Sequence, residues 1–105
     1  MYNFVVVFVT VKSKREAEKI TASLLNKKLA ACVNIVPRIE SVYWWKGKVE
    51  RAKELLLIIK TKKSLFKKLT REIIKNHSYE VPEVISLPIT GGNDRYLKWI
   101  EESVR

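Results

Sequence analysis

Residues 30–60 read AACVNIVPRIESVYWWKGKVERAKELLLIIK, and this stretch decides the fold. Val33 and Ile35 alternate with Cys32 and Asn34, and Ile39, Ser41 and Tyr43 alternate with Glu40, Val42 and Trp44. A period of two over so long a run is that of an extended strand. Pro37 interrupts it, and because proline lacks an amide donor it marks a bulge, a bend or an edge where no ladder bond is needed. Gly47, between Lys46 and Lys48, supplies a turn, and Val49 to Lys60 returns as a second long strand ending in the aliphatic run Leu55 to Ile59. The whole is one long β-hairpin.

Working outward, Phe4 to Thr10 is β-branched and aromatic without a polar break until its end, which predicts a central strand covered on both faces, or packed between neighbouring strands in the core. Ser13 and Glu16 stand at capping-box spacing, and Ala17, Ile20 and Leu24 continue a helix to about Lys28. Beyond the hairpin, Leu65, Phe66, Leu69 and Ile73 form the apolar stripe of a second helix ending near Asn76. Val84 to Ile89 is a last strand, broken by Gly91 and Gly92. Asn93 caps a final helix whose apolar side is Tyr96, Leu97, Ile100 and Val104. This order, βαββαβ with an additional C-terminal helix, predicts an α+β, ferredoxin-like fold with an antiparallel sheet, and 105 residues fit one domain spanning 1–105.

The hairpin arms can reach roughly 40 Å at about 3.3 Å per residue, whereas a helix of about 16 residues spans only about 24 Å. The hairpin is therefore expected to overhang its own domain. Its tip carries Tyr43, Trp44 and Trp45, and leaving them in water forfeits several kcal/mol at roughly 25 cal/mol per Å². Another subunit is the expected cover.

The net charge of +10 raises nucleic acid, acidic membranes and anionic ligands as partners, but the basic residues fall mainly at the polar positions of the two longer helices, where a solvated face is the ordinary meaning. The apolar run Phe4 to Val9 is far below the roughly 20 residues that cross a bilayer, so no membrane role is expected. It also lacks the basic start and the cleavage site of an export signal. Cys32 is the only cysteine and cannot form an internal disulfide, so a cytoplasmic location is expected.

Several strings together resemble the CutA family of divalent-cation tolerance proteins. They are K-L-A-A-C-V-N-I-V-P over 28–37, S-V-Y-W-W-K-G-K-V over 41–49, L-I-I-K-T over 57–61, H-S-Y-E-V-P-E over 77–83 and Y-L-K-W-I over 96–100. The resemblance runs from end to end and implies a homotrimer with PII-like architecture, its hairpins pairing across subunits. It further implies a part in metal homeostasis through binding of Cu2+ or another divalent cation, since some members of the family are reported to bind copper. The family's proposed copper ligands fall here at Val9, Asn76 and His77, and of these only His77 can ligate.

The expected metal contacts are His77, Cys32 and Glu80, set against plainer readings: a loop histidine, a small buried hydrophobe and loop polarity. Tyr43, Trp44, Trp45, Lys60, Tyr79 and Glu83 are expected at an intersubunit cleft or interface. No catalytic residue is expected, because there is no phosphate-binding glycine loop, no histidine pair and no nucleophile beside an evident base. A PII-like sensor or scaffold binding a small anionic ligand, with Lys60 or Arg95 as its charge partner, is the alternative. An RNA-binding module shares the fold, but residues 52–59 offer no aromatic stacking platform, so nucleic acid is not an expected partner.

Overall fold

The computed structural model describes residues 2–105. The chain runs β1 (Phe4–Val11), α1 (Lys14–Asn26), β2 (Cys32–Trp45), β3 (Lys48–Lys62), a 3-10 turn (Lys63–Leu65), α2 (Phe66–Asn76), β4 (Val84–Pro88) and α3 (Asp94–Ser103). The four strands form one antiparallel sheet in the order β2-β3-β1-β4, the ferredoxin-like arrangement.

Strand alternation explains where the core sits. Val5, Val7, Val9 and Val11 of β1 point to one side with Leu57 and Ile59 of β3, and there they meet Ala17, Ile20 and Leu24 of α1 and Leu69 and Ile73 of α2. Phe4, Val6 and Phe8 point the other way and are only half-buried, while their neighbours Ile85 and Leu87 on β4 are exposed. Of the two expectations for β1, packing between neighbouring strands holds, since β3 and β4 flank it, and cover on both faces does not hold within the chain. The helix-facing side of β1 is fully covered within the chain, and the opposite face of the sheet is left largely open.

Helix α1 begins as its sequence dictates. The Ser13 hydroxyl accepts the Glu16 N–H at 3.1 Å, and the Glu16 carboxylate reaches back to the Lys12 N–H at 3.4 Å. It ends at Asn26, two residues short of the expected limit, because Lys28 takes a left-handed φ of 55°. Its N–H bonds Leu25 O at 3.1 Å and that of Leu29 bonds Leu24 O at 2.9 Å, a Schellman closure that buries Leu29 beside Leu24.

The hairpin forms as predicted. Lys46 (φ 51°) and Gly47 (φ 80°) make a two-residue turn of type I′, whose twist suits paired strands. Pro37 and Arg38 lie together opposite Leu55, so the proline sits in a bulge on an edge strand. The β1–β3 pairing stops at Val11 and Leu55, yet β2 and β3 continue to Trp45 and Lys48 as a two-stranded ribbon beyond the sheet. The molecule is accordingly elongated, 44 × 26 × 23 Å.

Candidate functional site

The segment after α2 is folded by two buried side chains. The His77 ring is wholly buried, with Nε2 lying 2.8 Å from Thr10 O and Nδ1 accepting the Tyr79 N–H at 3.1 Å. These partners assign the proton to Nε2, since a carbonyl can only accept. Glu16 receives the Ser78 N–H at 2.6 Å on Oε1 and the Ser78 hydroxyl at 3.1 Å on Oε2, with His77 Nδ1 3.8 Å from the same Oε1. Burial alone would raise the Glu16 pKa, but the two Ser78 donors, the Lys12 N–H and His77 together carry it below the ordinary carboxylate value.

This clamp sets Tyr79 against the end of the sheet. The Tyr79 hydroxyl donates to Glu54 Oε2 at 2.6 Å, and burial together with that carboxylate pushes the phenol pKa well up. Glu54 is only 6% exposed and makes no ion pair with a lysine or arginine among the described residues. Burial, and then the Glu54 charge, raise the pKa of neighbouring Glu83.

Between this loop and the ribbon lies a cavity of about 790 Å³. Ser41 to Trp45 of β2 form one wall, Ser78 to Val81 with Glu83 form the other, and Thr10 and Glu54 lie at the sheet end. Alternation along β2 puts Tyr43 and Trp45 on the ribbon face that bears Glu54, with Val42 and Trp44 on the other, and the lining holds three carboxylates and no lysine or arginine. Such a surface suits a positively charged or aromatic guest.

The structure brings Tyr43, Trp44, Trp45, Tyr79, Glu80 and Glu83 together, as the sequence suggests, and places Lys60 elsewhere. Lys60 is six residues along β3 from Glu54, or about 20 Å. It stands over Cys32, with Nζ 3.9 Å from Sγ, and donates to Asn34 Oδ1. Cys32 is half-buried within this polar group, which Tyr96 of α3 also joins, rather than a buried hydrophobe. Likewise His77 is an interior strut and not a surface loop residue. The two are well apart, because Cys32 pairs with Lys60 on the rung of Val6 while His77 holds Thr10, four residues or about 13 Å further along β1.

Among the described residues no three His, Cys, Asp or Glu side chains gather at metal-binding range, and both His77 nitrogens are engaged. Within one chain, then, the expected donors His77, Cys32 and Glu80 do not fit a copper centre. Glu54, Glu16 and Ser78 are site residues that the sequence reading missed. Glu54 carries one signal, a lone carboxylate abutting the apolar run Leu55 to Ile59.

Taken together, the sheet order, α1 and α2 over one face and the ribbon projecting past the sheet define a ferredoxin-like α+β protein with an overhanging hairpin. The chain belongs to the family described as CutA1 divalent ion tolerance protein, whose model matches residues 5–103. It is 56% identical over 101 residues to the chloroplastic Protein CutA 1 of Oryza sativa subsp. japonica, covering 96% of this chain and 57% of that one. It thus spans just over half the length of that plant relative. To the divalent-cation tolerance protein CutA of Archaeoglobus fulgidus it is 45% identical over 104 residues, covering 99% of each. The crystal structure of CutA1 from Oryza sativa matches with a TM-score of 0.95 at 55% identity, covering 99% of this chain and 95% of that one. The structure of the divalent cation tolerance protein from Thermus thermophilus matches with 0.95 at 44%, covering 97% and 99%.

Proposed function

We propose that the protein works as a homotrimer in divalent-cation tolerance, as a binding protein without a catalytic step. The observation that carries this reading is the unpartnered ribbon. Trp44 is 75% exposed, Val42, Tyr43 and Val49 are exposed beside it, and Ile85 and Leu87 are bare on the open sheet face. Apolar area of this extent is worth several kcal/mol when covered, at roughly 25 cal/mol per Å². Sister copies of the same ribbon and face are its natural complement.

Binding of copper or another divalent cation is the finer part of the proposal. Because one chain does not gather the donors, such a site draws ligands from more than one subunit, with the half-buried Cys32 and the loop carboxylate Glu80 as contributions from each. The reducing compartment expected from a free thiol is the cytoplasm; the two plant relatives are named chloroplastic. A small anion in the cavity is disfavoured by its three carboxylates.

Light scattering on the purified protein tests the assembly, and calorimetric titration with copper and zinc tests the ligand. The expected mass is three chains, falling to one chain in Trp44→Asp with helical circular dichroism retained. A monomeric wild type would sink the trimer. Metal binding is expected to weaken in Cys32→Ser and to persist in His77→Gln, and the reverse ranking would overturn the assignment of ligands.

A further inference from the structure

We infer that the groove between the second half of α1 and α2 binds a compact polyphosphate, an anion of two or more linked phosphate groups, free or as the tail of a nucleotide. This goes beyond the self-association reading and does not rest on it. The groove lies in the helix layer, whereas the ribbon and the open sheet face, which that reading covers, lie beyond the end of the sheet and on its other side.

The first observation is a concentration of unbalanced charge. Five basic residues, Lys27, Lys68, Arg71, Lys75 and Arg105, line the groove with a single carboxylate, Glu72. Lys68, Arg71 and Lys75 recur at three- and four-residue spacing, so one face of α2 presents all three together, and like charges so placed repel. Glu72 does not relieve them. Its two oxygens are taken by the Ser23 hydroxyl, Lys27 and the Asn76 amide, which draw its pKa to about 2. Among the described residues Lys68, Arg71, Lys75 and Arg105 form no ion pair. A multivalent anion between them removes the repulsion that the chain leaves in place.

The second observation is that the groove is built, not a scatter of loose side chains. Glu72 ties α2 to Ser23 and Lys27 of α1, which fixes the spacing of the walls. At one end Val104 is buried and the Arg105 N–H donates to Lys28 O at 3.0 Å, so the backbone that carries Arg105 is held against the end of α1. The cavity measures about 470 Å³, within the range of small-molecule sites. A cleft lined by one sign of charge focuses its field on an oppositely charged guest.

The third is the chemistry of the donors. Arg71 and Arg105 offer planar forks that match phosphate oxygens in pairs, and the three lysines are adaptable point charges for further phosphates. No aromatic ring lines the groove, so nucleobases have nothing to stack on. Its one apolar lining residue, Leu29, is buried and gives a membrane nothing to receive. Recognition therefore falls on the phosphates, and a compact anion suits the walled volume better than a duplex or a lipid surface.

Calorimetric titration of the full chain in metal-free buffer tests the proposal, with sodium tripolyphosphate, ATP, orthophosphate and citrate as the anions. Salt at about 0.15 M screens attraction to loose surface charge. One tripolyphosphate per chain is expected, with orthophosphate and citrate at least tenfold weaker. ATP of equal affinity would show that free polyphosphate suffices, and ATP at least tenfold tighter would name the nucleotide as the source of the same phosphates. The variant Lys68→Gln/Arg71→Gln, whose two side chains are exposed and unpaired among the described residues, should lose at least tenfold in affinity. As a control, Lys14→Gln/Lys19→Gln removes the same charge from exposed positions of α1 outside the groove and should change affinity by less than about twofold. Absence of saturable binding, citrate as tight as tripolyphosphate, an equal loss in the two double variants, or tighter binding of a short DNA duplex would each overturn it.

Discussion

Glu16 closes the start of α1 and at the same time holds Ser78, 62 residues away, through two further hydrogen bonds. Its folded pKa lies below the unfolded carboxylate value of about 4.3. The stability it adds is therefore complete above that value and is lost as pH falls through the depressed one. We expect Glu16→Gln to cost about 1 to 2 kcal/mol at pH 7 in urea denaturation, and the gap from wild type to narrow below about pH 4. A gap independent of pH would show that the charge is immaterial. Glu72 follows the same sign at lower pH, drawn to about 2 by the Ser23 hydroxyl and then Lys27, which tie α2 to α1. The capping role of Glu16 is legible in the sequence, because Ser13 stands three residues before it. Its bond to Ser78 and the burial of His77 are not, since partners far apart in sequence leave no local period to read.

At the scale of elements, the sequence marks every strand and helix, and the differences fall at ends and faces. The helical pattern of α1 extends to Lys28 because lysine is a good helix former. What stops the helix is Leu29, whose burial under Leu24 requires a left-handed residue between. A lysine at φ 55° bears the Cβ strain of that region. Lys28→Gly is expected to stabilise the fold by about 1 kcal/mol, read as a higher urea midpoint, with Lys28→Ala giving no such gain. Equal midpoints for the two variants would refute the strain. The apolar character of β1 reads as two covered faces. Within one chain only the helix-facing side is covered completely, and composition alone does not say whether a second cover comes from the same chain or another.

For the whole molecule, charge and apolar surface occupy different sides. Residues 12–28 and 60–76, which take in α1, α2 and the end of β3, hold thirteen basic and three acidic residues and so the entire net charge of +10, with all but Lys60 and Lys62 of β3 on the side of α1 and α2. Self-repulsion in that layer is screened by salt, because the Debye length falls from about 30 Å at 0.01 M to about 8 Å at 0.15 M. The melting temperature should therefore rise by a few degrees over that range, and a flat or falling response would show that the layer is already balanced. The fold can be read from patterning, but the cavity cannot, because it joins a hairpin tip to a loop some forty residues later and only the bulge makes them meet. That bulge is a phase shifter. Before Pro37 the odd-numbered residues Val33 and Ile35 share a face with Leu57 and Ile59, whereas beyond Arg38 the odd-numbered Ile39, Tyr43 and Trp45 share one with Glu54 and Glu50. Deleting Arg38 would restore the original parity and turn the ribbon over, exchanging Tyr43 and Trp45 for Val42 and Trp44.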